Sequence, residues 1–219
     1  IKTFPSTLKD LNRMVMKNRI FIERTQGVGV LTREEAISGG ATGPVARASG
    51  VARDLRRDEP YLAYSDLDFD IVCATGGDCF ARFQVRMLEI VESLKIIEQC
   101  LERVPKGPIF AEGSGKEALP DKREVYTSIE GLIHHFEAIM PNRQMQPPRE
   151  SLYAYTESPN GELGFYIVSD GTLRAYRAHT RSPSLIHFAL FPQLIRGCLL
   201  SDIVAVLGSL NIIAAELDR

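Results

Sequence analysis

Residues 78–104, DCFARFQVRMLEIVESLKIIEQCLERV, decide how the rest of the chain is read. Asp78 follows Gly76 and Gly77 and is a good helix N-cap, while Pro105 and Gly107 stop whatever precedes them. Between these signals Phe80, Phe83, Met87, Ile90, Leu94, Ile97, Leu101 and Val104 step by three and four, and Leu88 and Val91 widen the stripe. The spacing predicts one amphipathic helix. Twenty-seven residues of helix would span about 40 Å, longer than a small domain, so it is expected to pack against other helices along its length, some of them on other chains.

Outward from this helix the pattern changes twice. On its N-terminal side Ser6 or Thr7 can cap a helix of about a dozen residues with Leu8, Leu11, Met14 and Val15 as its stripe. A glycine-rich stretch follows, Gly27 to Gly50, with a capping-box pair at Thr32 and Glu35. On its C-terminal side residues 106–122 are rich in Gly, Pro and charge and read as a connection or lobe boundary. A shorter helix is expected from Ser128 to Met140, closed by Pro141. Past Pro147 and Pro148 the period becomes strand-like over 152–157, 163–169 and 173–180, separated by Ser158-Pro159-Asn160-Gly161 and by Asp170-Gly171. These are hairpin signals, and a three-stranded antiparallel meander is expected. Helix returns over about 184–219. The expected class is α+β and mainly helical: helices over about 1–141, the meander over about 152–180, and a C-terminal helical segment.

Composition narrows the function. With 219 residues, 44% hydrophobic and 25% charged, the chain has material for a core and suits one domain or two packed lobes. A net charge of -2 disfavours nucleic acid as a partner, because backbone phosphates demand a surplus of cations. Cys73, Cys79, Cys100 and Cys198 form no Cys-x-x-Cys pair, so neither a metal centre nor a disulfide framework is expected. No apolar run reaches the roughly 18 residues of a membrane span. A chain that opens on Ile1 reads as one preceded by further residues.

Single motifs carry little. Gly27-Val28-Gly29 lacks the third glycine and the acidic residue of a dinucleotide fingerprint. His134 and His135 are adjacent on a helix and point about 100° apart; His134 could share a face with Glu130 and Glu137. Arg53, Asp54, Arg56, Arg57 and Asp58 read as a solvated charge run, or else as a docking patch. At the end of the chain Ile212, Ile213 and Leu217 continue almost to the last residue, so the terminus is expected to be buried, with Glu216 and Arg219 paired, Arg219 to a carboxylate or to carbonyls of the Gly27–Gly29 loop.

Taken in order, Arg24-Thr25, Gly27-Val28-Gly29, Thr42-Gly43-Pro44 with Arg47, Asp54-Leu55-Arg56, Leu67-Asp68-Phe69-Asp70 and Gly77-Asp78-Cys79 form a series. Leu132 to Phe136, Gly161-Glu162, Ser169-Asp170-Gly171, Arg196-Gly197 and Glu216-Leu217-Asp218-Arg219 extend it. The whole series resembles the C-terminal half of the D subunit (49-kDa type) of respiratory complex I, the proton-translocating NADH:quinone oxidoreductase. That family is similar in fold to nickel-iron hydrogenase large subunits.

The resemblance implies a subunit that helps form the quinone-reduction site beside an iron-sulfur cluster of the neighbouring B subunit. It also implies contact with the membrane-arm H subunit and NADH at a distant subunit. No cofactor would be bound by this chain, and quinone would be the substrate. The location implied is the cytoplasmic face of the cell membrane, or the matrix side of the inner membrane in a mitochondrion. Asn211, Ile213, Glu216 and Arg219 are the implied quinone-pocket residues. The histidine and tyrosine of the family's quinone site belong to the N-terminal half. At Asn211 the family usually has Asp, at Ala215 Gly and at Cys198 His; an amide at 211 carries no charge and exchanges no proton. The rival readings are a hydrogenase-like relative lacking the metal centre and a non-catalytic scaffold.

Overall fold

The structure is a computed structural model describing residues 3–107, 119–140, 147–172 and 174–218. They form two compact units. The first contains residues 1–103, 155–164 and 180–219, and the second contains 104–154 and 165–179.

In the first unit α1 (Phe4–Met16) and α2 (Arg19–Thr25) lead into the glycine-rich stretch. The first helix starts earlier than Ser6 or Thr7 would set it: its N-cap is Thr3 and Pro5 occupies the first turn, where a missing N–H costs nothing. The α3 helix (Arg33–Ser38) has the capping box that Thr32 and Glu35 announce. Two further short helices follow, α4 (Gly43–Ala48) and α5 (Leu55–Asp58), with a 3-10 turn at Tyr64–Asp66. Next comes the long α6 (Cys79–Arg103), whose start is fixed by the Asp78 carboxylate accepting the Ala81 N–H at 2.7 Å.

The second unit holds α7 (Lys122–Thr127), which the sequence reading passed over, and α8 (Ile129–Ile139). Ser128 caps α8 by accepting from Gly131 N–H at 2.9 Å. The helices approach so closely that a Cβ on Gly131 would lie 2.6 Å from the Glu124 carbonyl oxygen.

Strands β1 (Ser151–Ser158), β2 (Gly161–Val168) and β3 (Arg177–Arg181) pair in the order β1-β2-β3 as an antiparallel meander. The first connection is a two-residue turn, Pro159-Asn160, shorter than the Ser158–Gly161 linker expected there. The second is longer than Asp170-Gly171 suggested. Asp170 turns its carboxylate onto Thr172 N–H at 3.0 Å, and β3 begins only at Arg177. Leu173 lies outside the described residues.

The chain then returns to the first unit with α9 (Pro183–Leu194), a 3-10 turn at Leu200–Asp202, α10 (Ile203–Leu210) and α11 (Ala214–Leu217). Leu31, Val45, Ala46, Leu190, Leu194, Val206 and Leu210 join the first residue of α6, Cys79, in one apolar core.

The face of α6 that packs differs from the one expected. Its fully buried residues are Cys79, Ala81, Arg82 and Val85. The predicted apolar stripe is covered in part, by Phe21 of α2 against Phe80 and Phe83 at 6.2 and 5.1 Å, while Ile97, Leu101 and Val104 stay exposed. A polar row runs beside this stripe at helical spacing, with Arg82 buried, Arg86 and Glu89 half-buried and Ser93 exposed. Arg82, 0% exposed, donates to the carbonyls of Gly77 and Gly29 at 2.8 and 2.9 Å and to Ser209 Oγ at 3.0 Å, tying two loops and α10 to the helix. Gly27 N–H is held by Asp78 at 2.8 Å.

Two constraints can be tested. Gly27 and Gly43 both have positive φ, 72° and 63°. No atom lies within 4 Å of a Cβ on Gly27, whereas one on Gly43 would sit 2.4 Å from Gly161 Cα. Gly27→Ala should cost about 1 to 2 kcal/mol from backbone strain alone. Gly43→Ala should cost clearly more, read as urea midpoints; equal losses would contradict the close approach.

His187 of α9 is 1% exposed, accepts the Thr42 N–H on Nε2 at 3.4 Å, and has no partner for Nδ1 among the described residues. Burial first, then the charges of Arg86 and Arg181, push its pKa down to about 4. The folded chain therefore stays unprotonated there while the unfolded chain takes up a proton as pH falls below its ordinary value. Stability should fall by roughly 3 kcal/mol between pH 6.5 and 4 on this account. His187→Phe should lose less over that window, and an equal acid loss in both proteins would argue against a buried neutral imidazole.

Candidate functional site

The site grows from a charged side chain that ought not to be buried alone. Arg47, on α4, is 2% exposed, and its neighbours explain how that is tolerated. Its Nε donates to Glu89 of α6 at 2.7 Å and its Nη1 to Glu157 of β1 at 2.8 Å. Asp54 lies 3.5 Å away and the Arg53 carbonyl accepts at 2.9 Å. Burial works to lower the Arg47 pKa, but Glu89, Glu157 and Asp54 outweigh it, and the net shift is upward. Glu157 responds to burial in the opposite sense: desolvation raises its pKa even against Arg47.

Within the charge run that starts at Arg53, Asp54 and Arg56 belong to the same network, while Arg53 and Asp58 stay exposed. Asp54 is 1% exposed, caps α5 through Arg56 N–H, and takes a two-pronged pair from Arg56, Nε at 2.9 Å and Nη2 at 2.6 Å. Such fork geometry is the strong form of the interaction. Arg56 and Arg57 then lie over the Phe69 ring, 5.1 and 4.3 Å from its centre.

Beside this network is a cavity of about 490 Å³, within the size range of small-molecule sites. Arg47, Arg56, Glu89 and Glu157 form its charged floor, and Tyr64, Ile90 and Pro159 supply its apolar wall. Arg86 and Asn211 complete the rim. Arg86 donates to the carbonyls of Ser209 and Leu210 at 3.0 and 3.3 Å, so it sits at the C-terminus of α10, where a cation is favoured. Burial lowers its pKa to about 10, which leaves it a cation at neutral pH. With Asp54 behind the floor, three guanidinium groups face three carboxylates. Such balance gives little preference for a charged ligand and many donors for a neutral one that carries acceptors.

Of the four expected pocket residues, Asn211 lines this cavity. It ends α10 in the left-handed conformation, φ 55°, which asparagine tolerates better than most residues. Ile213 is 46% exposed and lies outside the cavity wall. Glu216 is also elsewhere. Its carboxylate accepts from Ser184 N–H and Ser182 Oγ, both at 3.3 Å, and from Ser184 Oγ, so it caps the start of α9. The end of the chain is docked by that carboxylate and is not buried: Ala214, Ala215 and Asp218 are exposed. Arg219 lies outside the described residues. Of the partners considered for it, Gly29 O accepts from Arg82 and Glu216 is engaged by α9.

Sequence reasoning missed Arg86, Glu89, Asn160 and Glu157. The first two were within reach, since Arg82, Arg86, Glu89 and Ser93 recur at helical spacing beside an apolar stripe. The Glu130, His134 and Glu137 face of α8 does not assemble a metal site: no group of three or more His, Cys, Asp or Glu among the described residues is placed to hold an ion. No helix of the described residues is long and apolar enough to cross a membrane.

Comparison with known proteins gives the site its family. The family model for the respiratory-chain NADH dehydrogenase 49 Kd subunit matches residues 1–219. The chain is 46% identical over 219 residues to the first D-type subunit of the NADH-quinone oxidoreductase of Chloroherpeton thalassium, covering 100% of this chain and 49% of that protein. It is 43% identical over 209 residues to the corresponding NADH-quinone oxidoreductase protein of Pelobacter propionicus, covering 95% and 51%. With the counterpart from Ehrlichia chaffeensis the identity is 41% over 219 residues, 100% of this chain and 55% of the relative. The chain thus spans about half the length of the curated relatives it matches. Matched along its whole length by the family model, the chain belongs to the 49 kDa subunit family of the respiratory-chain NADH dehydrogenase.

Proposed function

We propose that this chain is the C-terminal portion of a D-type subunit of a proton-translocating NADH:quinone oxidoreductase, and that its cavity is its share of the quinone-reduction site. The observation that carries the reading is the charge-balanced, donor-rich cavity with Asn211 on its rim, in a chain whose relatives are named as D-type subunits of NADH-quinone oxidoreductases. A quinone headgroup is a neutral ring with carbonyl acceptors. Arg86 and Asn211 offer it donors, and Tyr64, Ile90 and Pro159 offer it apolar surface.

Electrons would come from an iron-sulfur cluster held by the neighbouring B subunit, with NADH oxidised at a distant subunit. The H subunit would meet the chain at the membrane surface, on the cytoplasmic side or, in a mitochondrion, the matrix side. The role of this chain's residues is then to hold the headgroup and set the electrostatics around it. Because an amide at 211 exchanges no proton, the protons of quinone reduction reach the headgroup through other groups. The exposed Ile97 and Leu101 on α6, with Val104 just past its end, support contact with other subunits.

Asn211→Gly tests the reading cleanly, since glycine keeps the left-handed backbone and deletes only the amide. In the assembled oxidoreductase the KM for quinone should rise about tenfold, the weight of one useful hydrogen bond. Electron transfer from NADH to a small hydrophilic acceptor that bypasses quinone should stay at the wild-type rate. An unchanged quinone KM would overturn the assignment.

A further inference from the structure

The turn between β1 and β2 carries Asn160, 3% exposed, whose side chain meets Asn211 in two hydrogen bonds. Asn160 Nδ2 donates to the backbone carbonyl of Asn211 at 3.1 Å, and Asn211 Nδ2 donates to Asn160 Oδ1 at 2.7 Å. The first bond removes the usual ambiguity of an amide. A backbone carbonyl can only accept, so Asn160 must turn its NH₂ toward it. Its Oδ1 is thereby fixed facing residue 211, which must answer with an N–H.

The backbone beside each partner is held. The turn of Asn160 is clamped where Gly161 packs on Thr42 and Gly43, with Glu162 N–H donating to Thr42 Oγ1 at 3.1 Å. On the other side Arg86 holds the two carbonyls that precede Asn211. A carboxylate at 211 would face Asn160 Oδ1 oxygen to oxygen and could restore the bond only when protonated.

We infer that Asn160 is a positioning residue of the cavity: it dictates that residue 211 present a donor, and so makes this wall uncharged with one N–H and one carbonyl oxygen of Asn211 in fixed order toward a ligand. As a statement about ligand binding this rests on the quinone reading above; as a statement about the pair it does not. The charged groups that line the same cavity as Asn211 are Arg86 and Glu89 of α6, Arg47 of α4, Arg56 of α5 and Glu157 of β1.

The test uses the assembled oxidoreductase carrying Asn211→Asp, Asn160→Ala or both, with hydrogen exchange of segments 159–162 and 211–213 read against wild type at pH 8. Asn211→Asp should exchange about three- to tenfold faster in both segments, the effect of one lost hydrogen bond. In the Asn160→Ala background the same substitution should add almost nothing. Equal damage in both backgrounds, or no damage at all, would overturn the pairing. Asn160→Ala should also raise the quinone KM several-fold with kcat little changed. If exchange behaves as described but that KM does not move, the pair stands and its role toward the ligand falls, while the quinone assignment is decided separately by Asn211→Gly.

Discussion

A buried guanidinium among three carboxylates is the constraint on which the first unit depends. Arg47 is bonded to Glu89 of α6 and Glu157 of β1 and lies 3.5 Å from Asp54 at the start of α5. Such a cluster adds little net stability when complete, because each ion has lost its water. Its weight lies in what incompleteness would cost: no member can leave without stranding the others. The cluster therefore fixes where α4, α6, β1 and the start of α5 meet. Arg47, Glu89 and Glu157 of the same cluster line the cavity.

This arrangement accounts for the two-sided character of α6. One side buries Arg82 against loop carbonyls and aligns Arg86 and Glu89 along the cavity. The other keeps Ile97, Leu101 and Val104 exposed. Cys79, Ala81 and Val85 are buried with Arg82, so the start of α6 buries apolar and polar groups together. Arg86 also joins the cavity to the C-terminal segment by holding the end of α10, which places Asn211 on the rim in a conformation few residues accept.

What could be read from the sequence was local. The capping box at Thr32 and Glu35, the caps at Asp78 and Ser128, the long helix and the Pro159-Asn160 turn are each decided within a few residues, and each is present. The six-residue α7 was too short to show a period, and the β2–β3 connection was misjudged because Asp170 folds its side chain onto Thr172. The charge run at 53–58 looked solvated because its partners are distant: Arg47 and Glu157 are separated by 110 positions. Likewise Glu216 caps a helix 32 residues upstream, and no local pattern announces that. The quinone-pocket candidates came from family resemblance, and of them Asn211 lines the cavity while Ile213 and Glu216 do not. The residue that holds Asn211, Asn160, was noted only as part of a turn.

The most direct test of the account is the stability of Arg47→Leu compared with wild type at pH 7.5 and pH 5, measured by urea unfolding. Leucine would leave Glu89 and Glu157 without their guanidinium partner and Asp54 with Arg56 alone, which raises the carboxylate pKa values in the folded state. The loss should be about 3 to 5 kcal/mol at pH 7.5 and should shrink at pH 5, as the stranded carboxylates take up protons. A small loss, or one of equal size at both pH values, would mean that the charges around Arg47 do not hold the unit together.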